Sequence, residues 1–187
     1  MIISLTTRKV VRCFTLLLLG LSFFSVTAQP ESVWDVKAIP SPETIWDIKA
    51  VGTDGELIDV KAFEELGNPY VLDVKANQAG KLLPIKILSN EKPFAPVKAV
   101  QEDGTILDVK AITPDGQKLD VKGTSLNGKI FDIKAIAPDG ELIDIKAIWL
   151  DGTIRDIKGL KMHSGKTEGE IFDVEFFANV KALAPPQ

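Results

Sequence analysis

From Val33 onward the chain alternates apolar and polar residues in short runs, each closed by turn-forming residues. Leu57-Ile58-Asp59-Val60-Lys61-Ala62-Phe63 is representative. Side chains alternate across a strand, so one face of this run receives Ile58, Val60 and Ala62 and the other receives Leu57, Asp59, Lys61 and Phe63. The first face is wholly apolar and belongs in a core. The second is charged in the middle and apolar at both ends. The branched and aromatic content, together with the flanking turns, predicts a β-strand.

The run recurs along the chain. A valine or isoleucine centre, in most cases preceded by Asp and followed by Lys, falls at Val36, Ile48, Val60, Val74, Ile85, Val97, Val109, Val121, Ile133, Ile145, Ile157 and Val174. The step is twelve residues at most positions, with departures of 14, 11 and 17. Thr53-Asp54-Gly55, Glu102-Asp103-Gly104, Pro114-Asp115-Gly116, Leu126-Asn127-Gly128, Pro138-Asp139-Gly140 and Leu150-Asp151-Gly152 lie between strands. Such triplets suit three-residue hairpin loops in which Gly takes the left-handed position. The expected fold is therefore all-β: an antiparallel meander of about twelve short strands from a 12-residue repeat, closed as a flattened barrel or two packed sheets.

Pairing successive strands centre to centre sets Asp47 against Lys61 and Lys49 against Asp59, so that acids meet bases. It also sets bulky residues against small ones: Trp34 against Ala50, Trp46 against Ala38, Phe131 against Gly123 and Phe172 against Gly159. The alternative, a parallel β-solenoid, would stack like charges about 4.8 Å apart. One difficulty is parity. With identical loops and a constant period, a residue in a bonded pair with one neighbour must be in a non-bonded pair with the other. Alternation of Pro-containing turns (114, 138) with turns lacking Pro (103, 127, 151) points to a 24-residue unit with two turn types.

Four places break the pattern. Pro84 and Pro96 replace Asp, which predicts an edge strand or a bulge, since proline cannot donate to a ladder. The segment 161–170 is the longest insertion and holds His163, the only histidine; a lone histidine among Gly, Ser and Lys reads as a solvated loop residue. Glu175 stands where Lys is expected and would face Asp156, a like-charge contact that a frayed terminus or a bound cation would relieve. Trp34, Trp46 and Trp149 would suit a sugar platform if exposed, but parity places all three on the valine face and hence in the core.

Composition adds a compartment. Arg8, Lys9 and Arg12 precede an apolar run from Phe14 to Val26, and Val26-Thr27-Ala28 offers small residues at the positions a signal peptidase reads. Residues 1–28 are therefore expected to be a signal peptide and 29–187 a single β-repeat domain. The run is shorter than the ~20 residues of a membrane span. Of 22 basic and 26 acidic residues the leader holds three basic ones, leaving a net charge of −7. An acidic chain without a basic stripe has no electrostatic reason to bind nucleic acid. The single cysteine, Cys13, lies in the leader, so the mature chain has no disulfide, thiol nucleophile or thiolate ligand.

No catalytic constellation emerges. A hydrolase nucleophile needs an adjacent base, and His163 is alone. Zinc sites need several His or Cys ligands, and neither calcium-loop nor phosphate-loop patterns occur. No metal, cofactor or catalytic residue is assigned, and no binding residue is singled out. The recurring Asp-Val-Lys-Ala and Asp-Ile-Lys-Ala units behind a leader ending Thr27-Ala28-Gln29 resemble a family of secreted bacterial proteins of unknown function. That resemblance implies no activity. The expected function is a non-catalytic secreted, periplasmic or envelope protein that binds or supports a partner, either a cell-envelope polymer or another protein. The alternatives are a carboxylate-based glycan-active enzyme with its site near 161–170, and an outer-membrane β-barrel with the valine face toward lipid.

Overall fold

The computed structural model describes residues 33–65, 68–88, 94–125, 129–161, 169–171 and 174–185. The expected leader, the Asn127-Gly128 turn, His163 with most of its loop, and Phe172 lie outside them. The described residues form one antiparallel sheet without helices: β1 (Val33–Ser41), β2 (Thr44–Val51), β3 (Leu57–Glu65), β4 (Asn68–Gln78), β5 (Lys81–Leu88), β6 (Phe94–Val100), β7 (Ile106–Ile112), β8 (Lys118–Ser125), β9 (Ile130–Ile136), β10 (Leu142–Ile148), β11 (Ile154–Leu160), the short β12 (Gly169–Ile171) and β13 (Val174–Leu183). Every pairing is antiparallel, which excludes the solenoid.

The sheet closes on itself, but not around a barrel axis. Three strands meet end to side at each of four junctions. At junction 1, the second half of β1 pairs with the first half of β2 (Lys37 with Asp47), the second half of β2 with the first half of β3 (Lys49 with Asp59), and the second half of β3 with the first half of β1 (Lys61 with Asp35). Junction 3 repeats this cycle with β6, β7 and β8, and junction 4 with β9, β10 and β11. Junction 2 is assembled from distant parts of the chain, β4 and β5 with β13. The opposite edge of each strand pairs at length with a strand of another junction: β1 with β10, β2 with β7, β3 with β4, β5 with β6, β8 with β9 and β11 with β13. Each junction is thereby joined once to each of the other three, which is the connectivity of a tetrahedron.

This arrangement removes the parity difficulty. β2 meets both β1 and β3 along one edge, and reserves its other edge for β7. Identical loops can then follow one another at a constant period. The loops at 53–55, 102–104, 114–116, 138–140 and 150–152 are indeed alike, with or without proline. Each is closed by the same two backbone bonds, as from Gly52 N to Glu56 O and from Gly55 N to Gly52 O, at 2.8 and 2.9 Å. Their glycines all have positive φ, +85° at Gly116. The expected 24-residue unit with two turn types is not found.

The predicted centre-to-centre register is realised over half a strand within the junctions, whereas the long β3–β4, β5–β6 and β8–β9 pairs are offset from it by two residues. Lys49 faces Asp59 and Ala38 faces Trp46, as the centre-to-centre pairing requires. Asp47 faces Lys37 rather than Lys61, and Trp34 faces Ala62 rather than Ala50, because a third strand enters at the centre. Phe131 lies opposite Gly159 at junction 4 and opposite Ser125, not Gly123, in the long β8–β9 pair.

The apolar faces turn inward. Side chains two before, at and two after each centre are buried in most strands, and the twelve centres, Val36 through Ile157 and then Val180, surround a common void of about 10 Å³. A space so small and apolar stays dry. Val180 therefore takes the place expected of Val174. Asn179-Val180-Lys181-Ala182 is the twelfth unit, and Val174 lies instead in a short pairing with β12, where Glu175 is in register with Glu170 and not with Asp156. Trp34 is buried in the core, with Trp46 and Trp149 packed against it.

Candidate functional site

The outer surface of each junction carries a ring built from the residues that flank its three centres. At junction 1 the ring runs Asp35, Lys37, Asp47, Lys49, Asp59, Lys61. Each lysine reaches across to the next strand's carboxylate: Lys37 to Asp47, Lys49 to Asp59 and Lys61 to Asp35. Lys49 also reaches back to Asp47 on its own strand at 3.3 Å. Junction 4 has the same ring from Asp132, Lys134, Asp144, Lys146, Asp156 and Lys158, with Lys146 at 2.7 Å from Asp156 and 3.1 Å from Asp144. Three acids and three bases alternate, and both rings are neutral.

The alternation tunes the groups in it. The hydrogen bond from Lys37 holds the Asp47 carboxyl below its usual range against the opposing pull of desolvation, and Lys49 and Lys134 do the same for Asp59 and Asp144. Partial burial pushes the Lys49 ammonium down, yet its bond to Asp59 and the charges of Asp47 and Asp59 outweigh this and raise it. Carboxylates so committed are stabilised as anions, whereas a general acid needs the reverse.

Two rings are incomplete. At junction 3, Lys98 and Lys110 bind Asp108 and Asp120, but Pro96 stands opposite Lys122. At junction 2 the ring reads Asp73, Lys75, Pro84, Lys86, Asn179, Lys181. Lys181 bonds Asp73 and lies 3.4 Å from Glu65, Lys75 lies 3.3 Å from the other oxygen of Asp73, and Lys86 donates to Oδ1 of Asn179. The Lys86 ammonium also sits 4.5 Å from the centre of the Phe176 ring. Two of three carboxylates are thus replaced by groups without charge, and the ring opens. Its nine central residues, Asp73 through Lys75, Pro84 through Lys86 and Asn179 through Lys181, line a hollow of about 150 Å³. The equivalent space at junction 4 is about 10 Å³.

Neither proline marks a sheet edge, contrary to expectation. β5 and β6 each have neighbours on both sides. The prolines instead shorten the ladder between those two strands to three pairs, Ile85 to Ile87 against Val97 to Ala99, where the β1–β10 and β2–β7 ladders have five. A missing N–H at the position before each centre removes one pair at each end. Of the residues that form the hollow, the sequence singled out Pro84 as irregular. Asn179 is less legible, because its unit lacks the acid that Asp173-Val174, six residues earlier, keeps. Among the described residues no group of three or more His, Cys, Asp or Glu is placed to hold a metal ion, and no helix is long and apolar enough to cross a membrane.

Fold and surface together define a closed, all-antiparallel β-shell with an apolar filling and four charged rings. Residues 30–183 match a family of unknown function, DUF7486, and the chain belongs to it. No curated protein and no solved structure matches the chain.

Proposed function

We propose that this is a non-catalytic binding or structural module of the cell envelope or exterior, released from a cleaved leader and built from twelve like units. The observation that carries the reading is the commitment of the ring carboxylates of junctions 1 and 4 to lysines: Asp47, Asp59, Asp144 and Asp156 each lie between two, and Asp35 and Asp132 each pair with one. An acid so held stays ionised near neutral pH and is unsuited to the general-acid step of glycoside hydrolysis. The valine face, which a lipid-facing barrel would turn outward, is buried, so the surfaces offered to a partner are the rings and the apolar residues around them, such as Ile45, Leu57 and Ile154.

The test is a panel of envelope polysaccharides and peptidoglycan fragments offered to residues 29–187, scored for retention and for turnover. Retention without turnover is the expected result. Turnover abolished by a single Asp or Glu substitution would overturn the reading in favour of a carboxylate-based enzyme.

A further inference from the structure

We propose that the hollow at junction 2 binds a tetrahedral oxyanion, the phosphate or sulfate group of a ligand, through Lys75, Lys86 and Lys181. This deepens the binding-module reading and rests on it only for the identity of the larger partner.

Four rings of one design differ in charge in a way that can be counted. Junctions 1 and 4 carry three lysines and three aspartates and are neutral. Junction 3 carries three lysines against Asp108 and Asp120, a net +1. Junction 2 carries three against Asp73, a net +2, or +1 when Glu65 beside Lys181 is included. On a chain whose total charge is −4, a local positive excess in a concave space concentrates anions.

Shape supplies the second argument. At junction 4, where all three carboxylates are present, the space within the ring is about 10 Å³; at junction 2, where two are lost, it is about 150 Å³, room for a small anion with the ring lysines in its lining. Three lysines, one from each strand of the junction, line the hollow, as many donors as a phosphate or sulfate ester has terminal oxygens, with the fourth oxygen left for the rest of the ligand. A planar carboxylate offers only two. Lys75 is the plainest case. Its cross-strand partner is Pro84 where the neutral rings have Asp, and Asp73, its acid, is shared with Lys181. An arriving oxyanion restores to Lys75 the second acceptor that Lys49 and Lys146 already have. The bound anion stands in for the absent carboxylates.

Isothermal titration of residues 29–187 with inorganic phosphate and, separately, sulfate tests this, with acetate as control. Saturable binding of the tetrahedral ions, weaker for acetate, is expected. Pro84→Asp with Asn179→Asp rebuilds the ring and should weaken binding by about tenfold or more, while Pro96→Asp at junction 3 should leave it unchanged. Lys75→Gln, which leaves the ladder residues in place, should weaken it comparably. Absence of phosphate and sulfate binding, or binding indifferent to both Lys75→Gln and the double substitution, overturns the proposal. Polymer retention without phosphate or sulfate binding overturns the site and leaves the module reading standing; phosphate binding without any retained polymer does the opposite.

Discussion

The δ-methyl of Ile87 fills the space that a side chain on Gly159 would occupy. A Cβ on Gly159 would overlap it, and one on Gly123 would come within 3.1 Å of the same atom. Ile87 stands two residues after its centre, where nine of the twelve units have Ala and the remaining two have Gly123 and Gly159. One oversized residue from junction 2 is accommodated by two undersized ones from junctions 3 and 4. Gly159→Ala should therefore destabilise by about 1–3 kcal/mol through overpacking, and Ile87→Ala by about 2–5 kcal/mol through a cavity. The double variant Ile87→Ala, Gly159→Ala should be more stable than the two losses added, with a coupling of about 0.5–3 kcal/mol. Urea denaturation of the four proteins measures it, and strict additivity would show that Ile87 and Gly159 do not share one space.

Stability should fall at both extremes of pH. Asp47, Asp59, Asp108, Asp120, Asp144 and Asp156 are held below the usual carboxylate range, in each case chiefly by a lysine hydrogen bond. The unfolded chain, with carboxyl pKa near ~3.9, then binds more protons than the folded one, so stability rises with pH in the acid range. It is complete above about pH 5 and is lost progressively as pH drops through ~4 and below. In Lys110 and Lys146 burial pushes the ammonium down, but the bonds and charges of the flanking aspartates raise it on balance. Their contribution is present below the unfolded value near ~10.4 and disappears as pH climbs through the raised folded value. Denaturation midpoints across pH 2–12 should trace a plateau with two declining limbs; a flat acid limb would contradict the ring geometry.

The loop glycines should be costly to replace for backbone reasons alone. Gly116 has φ of +85° and a Cβ there would meet nothing within 4 Å. Gly116→Ala should cost roughly 1–2 kcal/mol, and Gly116→Asn less, because Asn tolerates the left-handed region. Thermal melts of the two variants would show the order, and an Ala variant as stable as the parent would mean that the loop relaxes.

Arg155 occupies an inward, bulky position and stacks 4.5 Å over the Trp34 ring, while its Nη1 is buried without a hydrogen-bond partner. A buried unsatisfied donor costs about 1–3 kcal/mol, comparable with or larger than the ~0.5–2 kcal/mol gained from the stacked ring. Arg155→Leu should leave stability unchanged or raise it, unlike truncations at other inward positions. A melting temperature lowered by several degrees would show that the guanidinium contributes more than its stacking accounts for.

The inward face, the loops and the antiparallel sense could be read from alternation, Asp-Gly triplets and charge order, because each is a local consequence of period two and turn geometry. The junctions could not. Lys49 opposite Asp59 is common to a plain meander and to a three-strand junction; what separates them is whether Asp47 turns to Lys61 or to Lys37, and both choices satisfy charge. Val180 is less legible than Val174, because Phe172-Asp173-Val174 keeps the acid, while Asn179-Val180-Lys181-Ala182 keeps the lysine and alanine and loses the acid. The same loss opens the hollow. Pro84 was visible as an irregularity, but its effect depends on Asn179, ninety-five positions away, being brought to the same ring.

Junctions 1, 3 and 4 are each made from consecutive strands and can form as soon as their stretch of chain exists. Junction 2 cannot, since Asp73 waits for Lys181, 108 positions later. Until β13 arrives, β4 and β5 lack their third member and the apolar filling is open to water through one face. Closure is then a late, long-range event of the kind that slows folding, and the C-terminal segment acts as the keystone of an otherwise locally assembled vault. A chain cut before Val174 would be expected to collapse without acquiring a fixed interior, and to aggregate through the unpaired strands left at the gap.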